Sequence, residues 1–290
     1  MAQRPRISIC IPAYKAARFV ATAVESALRQ TADAHEIVVS DNWSGDGTAA
    51  ILDRYKGRIE ITRPWTHLSM SDHYWYLTEC ASGDYVVWLD ADNALHPAFV
   101  ETVAPRMGRY SMIATGRFDC DSSLRPLSYS GLGYLRYRDC RPGELFRQFL
   151  HGCRHSHSGT AWDRSWLLSL PRPPKEAEYV TDWYLGVVTA AHRPISMLPA
   201  PRHYFRYHDS NASHSDPERW RRSAVAMFEW LASLDVLDRS QREEVADRAR
   251  RLSSASSGKA GAPLAFAKRF ARSVASGFAR RVYRRPAYLR

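Results

Sequence analysis

Asp90-Ala91-Asp92 closes the apolar run Tyr85-Val86-Val87-Trp88-Leu89, and Asp41-Asn42 closes another, Ile37-Val38-Val39. In an extended chain residues i and i+2 share a face, so Asp90 and Asp92 at a strand end can converge on one divalent cation. Mg2+ or Mn2+ held in this way completes its shell with phosphate oxygens and neutralises charge building on a departing diphosphate. A bare Asp-x-Asp also recurs by chance in solvated turns; its place behind a buried strand gives it meaning. Asp41 can accept hydrogen bonds from a base edge or ribose hydroxyls. An Asx-turn is the plainer role for Asp41-Asn42, and helix capping is the role expected of Asp46 and Thr48.

These carboxylates need a scaffold, and the first hundred residues supply the pattern for one. Ile7-Ser8-Ile9-Cys10-Ile11 reads as a buried strand ended by Pro12. Apolar residues at helical spacing from Phe19 to Leu28 predict a helix over about 16–30. A strand at 37–39, a helix from Ala49 to Tyr55, a strand at 59–61, a helix over 69–82 and the strand 85–89 follow. Strands alternating with helices imply βαβ units and a largely parallel α/β sheet. Ligands in such sheets sit beyond the carboxyl ends of the strands, where Ala13-Tyr14, Asp41, Asp90 and Asp92 all fall. Residues 110–210 have poorer periodicity and read as a loop-rich half. Residues 217–251 read as helical, with Trp220, Val225, Phe228 and Leu231 as an apolar stripe.

Ile7 to Tyr14, then Glu36 to Asn42 with Ser44 and Asp46-Gly47-Thr48, then Gly83-Asp84-Tyr85 leading to Leu89-Asp90-Ala91-Asp92-Asn93, resembles the family-2 glycosyltransferases with a GT-A fold. That resemblance implies a Rossmann-like, mixed, mostly parallel sheet flanked by helices, here with a C-terminal helical extension. It also implies a nucleotide-diphosphate-sugar donor, a divalent metal and an inverting displacement. By motif position Pro12, Ala13 and Tyr14 would line the nucleoside pocket, and Asp41 would hold the base. Asp90 would touch the ribose or the metal, and Asp92 would be the principal metal ligand. Trp43 departs from the family, which usually has a small residue there. Glu178-Tyr179-Val180-Thr181-Asp182 resembles the segment carrying the general base, which assigns that role to Asp182 with Glu178 in reserve; helix capping is the alternative for Asp182. Tyr204-Phe205-Arg206-Tyr207-His208 resembles a late family segment, in which Arg206 would neutralise diphosphate oxygens and His208 would contact metal or phosphate.

His155 to Thr160 reads as an acceptor loop, and its His-x-His, even with Cys153, lacks the spaced partner of a zinc site. Trp65, Trp75 and Trp88 offer a sugar-stacking surface, with core packing the better role for Trp88. The expected organisation is a domain over 1–215, split into a nucleotide-sugar half (1–108) and an acceptor half (109–215). A helical region (216–252) and a basic amphipathic tail (253–290) follow.

The net charge of +11 does not mark a nucleic-acid binder: residues 239–290 carry 14 Lys/Arg against 3 Asp/Glu, and the first 238 residues balance at 27 of each. The tail, with Phe266, Phe270, Val274, Phe278 and Val282 at four-residue spacing among Lys and Arg, fits an anionic membrane surface through 264–285. Packing against its own domain or a second subunit is the other reading. Five cysteines without a CxxC pair fit a reducing compartment. No leader signature and no apolar run of membrane-spanning length are seen. The expectation is a cytoplasmic protein, peripheral on the inner face of the membrane, that passes a sugar to a glycan or lipid-linked saccharide. The sequon at Asn211-Ala212-Ser213 is discounted for the same reason. Two rivals are a nucleotidyltransferase, for which the Gly-rich phosphate loop is missing after the first strand, and an inactive nucleotide-binding scaffold.

Overall fold

A computed structural model describes residues 5–130, 138–209, 211 and 216–254. The basic stripe at 264–285 and the sequon residues Ala212 and Ser213 lie outside them. The chain runs β1 (Ile7–Ala13), α1 (Val20–Leu28), β2 (Glu36–Asp41), α2 (Thr48–Leu52), β3 (Glu60–Thr62), α3 (Met70–Cys80) and β4 (Tyr85–Trp88). A short β5 (Ala94–Leu95), α4 (Phe99–Val103), β6 (Met112–Cys120), β7 (Pro126–Ser130), β8 (Arg138–Cys140), α5 (Phe146–Leu150), β9 (Thr160–Asp163) and α6 (Arg164–Ser169) follow. It finishes with α7 (Thr181–His192), β10 (Ile195–Arg206), α8 (Pro217–Ala232) and α9 (Arg239–Ser254).

The strands form one mixed, mostly parallel sheet in the order β3-β2-β1-β4-β9-β6-β10-β5, with β7 on β6 and β8 on β10. Its first four strands are parallel throughout, and β6 and β10 are parallel to each other. Each central strand is buried on both faces, which explains runs that are apolar without alternation. Period two still sorts them. Ile7, Ile9 and Ile11 join Val20, Ala23 and Val24 of α1 in one core layer, while Cys10, Val86 and Trp88 face Leu77 of α3 and the α7 residues Trp183 and Val187 in the other.

Two differences from the sequence expectations matter. The half beyond residue 110 is not mainly loop: β6 and β10 pair in parallel from Ile195↔Met112 to Arg206↔Cys120, with irregularities around Pro201. Those register shifts, and buried polar residues such as Thr115, Ser196 and His203, erase the simple pattern. The helical stretch is two helices, joined through Ser233 to Asp238. The apolar residues buried in α8 are Ala224, Met227, Phe228 and Leu231, with Val245 and Ala249 buried in α9, so Met227 takes the place expected for Val225. This hairpin braces α7, because Trp183 stacks on Trp220 at 5.1 Å and meets Phe228 edge-on at 5.0 Å. No helix among the described residues is long and apolar enough to cross a membrane.

Candidate active site

Because β1 lies between β2 and β4, the carboxyl ends of all three make one edge. Ala13 is in register with Asp41, and Asn42 N–H donates to Ala13 O at 2.8 Å. Asp41 is only 2% exposed; its Oδ1 accepts from Ser44 N–H at 3.1 Å and its Oδ2 from the Arg63 guanidinium. Asn42 fixes the segment beyond β3 by bonding Leu68 in both directions, at 3.0 and 2.9 Å. The following loop is sewn to the β1–α1 segment. Ser44 accepts from Lys15 N–H at 2.9 Å, Thr48 from Ala16 N–H at 3.0 Å and Asp46 from Ala17 N–H at 3.0 Å. Asp46 also accepts from Thr48 N–H at 3.1 Å at the start of α2.

Trp43 stands at φ 62, the left-handed region where a bulky side chain is strained. This gives a backbone reason why a small residue would be favoured there. The indole is held by a 2.9 Å bond from Nε1 to Pro64 O and by the Arg63 guanidinium 5.2 Å from its ring. Tyr14 and Trp43 are both about half exposed, and Tyr14 meets His67 edge-on at 4.8 Å. Pro12 is half-buried and Ala13 fully buried beneath them. Trp65 is 98% exposed, whereas Trp75 and Trp88 are core residues and do not form a stacking surface with it.

Asp90 and Asp92 do not continue β4. Asn93 N–H bonds Asp90 O at 2.9 Å, closing a turn, so the alternation that would place both carboxylates on one face is lost. Asp90 turns inward. Its Oδ1 accepts from Tyr74 O–H at 2.6 Å, and its Oδ2 from Ser158 O–H at 2.9 Å and Asn93 at 3.3 Å. Burial raises its carboxyl above the ordinary range and the Asp92 charge adds to this, while His157 and the Tyr74 and Ser158 hydroxyls oppose it. Burial and the Asp90 charge likewise push the Tyr74 phenol up.

Asp92 turns the other way. Its Oδ2 lies 3.0 Å from His208 Nε2 and 3.3 Å from the Asn211 amide nitrogen, and the Asp92 side chain is 28% exposed. This carboxylate–imidazole pair is a donor set that suits a divalent cation whose remaining positions go to phosphate and water. Among the described residues no group of three or more His, Cys, Asp or Glu is arranged as a metal cage, so substrate oxygens would have to complete the shell. Asp90, with both oxygens committed to the protein, is not in this pair. Arg206 differs from its expected role too. It is 5% exposed, and its guanidinium donates to Asp92 O and to Ser122 O, both at 2.6 Å. That holds the turn from beneath, and the charge is not presented to an open cleft.

Asp182 opens α7 and accepts from Trp183 N–H at 2.8 Å. Its charge acts on Cys153, His155 and Tyr74, and Tyr74 is also the hydroxyl that bonds Asp90. Glu178 instead accepts from Met70 N–H at 3.2 Å at the start of α3. His157 stacks on Tyr74 at 4.6 Å and 9°. The sequence did not single out Tyr74 or Ser158. Tyr74 hides inside a helical pattern, and neither residue has a local signal for a contact made 16 or 68 residues away.

Burial lowers His73, His96 and His155 to about 4 and His203 to about 3. Below pH 6.5 the unfolded chain takes up protons that these four rings refuse, so folding stability falls with pH. The expected loss is on the order of 10 kcal/mol between pH 6.5 and 4, mostly from His73, His155 and His203 because His96 is only partly buried, readable as a urea midpoint that falls towards unfolding, followed by circular dichroism.

The family described as Glycosyl transferase family 2 matches residues 8–167. A Mycobacterium tuberculosis protein of unassigned role is 27% identical over 165 residues, covering 54% of this chain and 51% of its own length. The chain thus spans about half the length of that relative. The structure of S. aureus TarS 1-349 in complex with UDP-GlcNAc superposes with a TM-score of 0.67 at 16% identity, covering 88% of this chain and 75% of that one. The mannosyltransferase PcManGT from Pyrobaculum calidifontis, in complex with GDP-Man and Mn2+, gives 0.57 at 14% identity, covering 93% and 81%. The likeness to both is one of fold, and that fold is GT-A.

Proposed function

The chain belongs to glycosyl transferase family 2, and on that premise we propose that it moves a glycosyl unit from a nucleoside-diphosphate sugar to a hydroxyl of a glycan or lipid-linked saccharide, with inversion. The observation carrying this reading is the meeting of Asp92 and His208 at 3.0 Å, on the edge shared with Asp41, while the Asp182 charge bears on the same Tyr74 that holds Asp90. Residues 1–108 would bind the donor and 109–215 would shape the acceptor side.

In this reading the nucleoside binds over the Asp41 loop with Pro12, Ala13 and Tyr14 around it, Asp41 meeting it through the carboxylate lone pairs that Ser44 N–H and Arg63 leave open. Asp92 and His208 would hold a divalent cation, which supplies charge neutralisation for the leaving diphosphate. Asp90, clamped by Tyr74 and Ser158, fixes the turn that presents Asp92 and lies where the ribose would run. Arg206 keeps that turn in place. Asp182 takes the proton of the acceptor hydroxyl as its oxygen bonds to the anomeric carbon, and the bond from that carbon to the diphosphate oxygen breaks. GDP-Man and UDP-GlcNAc bound to proteins of the same fold support a diphosphate-sugar donor without choosing its base.

A thermal-shift panel of UDP, GDP, ADP and CDP, each with Mn2+ and with EDTA, tests the donor reading. At saturation the matching diphosphate with Mn2+ is expected to raise Tm by about 5 °C or more, since a ligand binding only the folded chain at a hundred times its Kd contributes about 2.7 kcal/mol. No shift with any of the four would sink it.

A further inference from the structure

Phe19 ends the β1–α1 segment and carries no chemistry of its own, yet its ring touches both side chains that define the Asp92 site. The Arg206 guanidinium lies 4.5 Å from its centroid and the His208 imidazole 4.6 Å, tilted by 43°. Arg206 grips the Asp92 carbonyl and His208 its carboxylate. The ring is itself buried, at 8% exposure, and its position is set from the nucleoside side. Phe19 N–H bonds Ala16 O at 2.9 Å, and Ala16 and Ala17 are pinned to Thr48 and Asp46 of the loop that follows Asp41.

We infer that Phe19 is a positioning residue for the cation site. Its face fixes the ring of His208 and the plane of Arg206, so that Asp92 and His208 already oppose each other when metal and diphosphate arrive. This rests on the metal reading proposed above. The physical basis is preorganisation: partners one shell out from a metal ligand fix its orientation, and losing them weakens binding by about tenfold or more. An aromatic face can hold both a guanidinium and an imidazole. Leucine keeps apolar bulk at this buried position but offers no such face.

Calorimetric titration of UDP and GDP into the purified full chain, with Mn2+ and with EDTA, tests this without an activity assay. In the unsubstituted protein Mn2+ is expected to raise the affinity for the cognate diphosphate. Phe19→Leu is expected to cut that Mn2+-dependent gain by about tenfold while leaving the affinity in EDTA unchanged, and Phe19→Tyr to retain the gain. The affinity in EDTA reports the base pocket and the fold, so a purely structural role would weaken both conditions equally. Equal weakening, an undiminished Mn2+ gain in Phe19→Leu, or loss of the gain in Phe19→Tyr overturns the role of Phe19. An unsubstituted chain with no Mn2+-dependent gain overturns the metal reading itself.

Discussion

Replacing Asp92 with alanine is expected to lower glycosyl transfer by about a thousandfold or more, on the order of 4 kcal/mol in the barrier, with only a small change in stability. The two effects separate because of where the carboxylate sits. Its side chain is 28% exposed at the edge of the sheet and its partners are His208 and Asn211, which water can serve once it is gone. The turn that carries it is held independently by Arg206 on the Asp92 carbonyl and by Asn93 on Asp90. The alanine chain should therefore melt within a few degrees of the parent, yet lack the carboxylate that the proposed cation site requires. Initial rates across a Mn2+ series, beside a melting curve, distinguish lost chemistry from lost fold. Transfer within tenfold of the parent, with unchanged Mn2+ dependence, would remove Asp92 from the metal site.

That carboxylate was legible in the sequence because buried parallel strands announce themselves. Tyr85 to Trp88 and Ile37 to Val39 are apolar on both faces, and an acidic residue ending such a run has few structural reasons to be there. The same signal located Asp41. What the sequence did not convey is direction. Asp90 and Asp92 are two residues apart, and extended geometry would aim them together, but the turn closed by Asn93 N–H on Asp90 O sends one to Tyr74 and the other to His208. Arg206 looked like an anion ligand by charge and motif. Its neighbours, Phe19 and the carbonyls of Asp92 and Ser122, come from segments 84 to 187 residues away, and they decide its role. The strands β6 and β10 were obscured for a related reason: Pro199, Pro201 and buried polar residues blur period two, and only pairing along the sheet restores it. Local apolar pattern gives elements and their ends, whereas side-chain direction at those ends depends on contacts distant in the chain.

Asp182→Asn is expected to reduce kcat by about a hundred- to ten-thousandfold, the usual contribution of a positioned general base, while donor affinity stays within about twofold. The amide is isosteric and its oxygen can still accept from Trp183 N–H, the 2.8 Å bond that Asp182 makes in the first turn of α7. Removing a negative charge from a helix N-terminus costs about 0.3–1 kcal/mol, too little to unfold a helix buried among Trp220, Phe228 and the sheet. In the proposed reading donor binding falls to the Asp41 and Asp92 edge, so the Mn2+-dependent thermal shift with nucleoside diphosphate should survive the substitution. Glu178 provides the internal control. Its carboxylate is engaged by Met70 N–H at the start of α3, so Glu178→Gln should change kcat by less than about fivefold if that contact is its purpose. Single-turnover rates for the two variants decide the matter: turnover lost in Glu178→Gln and kept in Asp182→Asn would transfer the role of base to Glu178, and turnover kept in both would leave the acceptor proton to a group other than these two carboxylates.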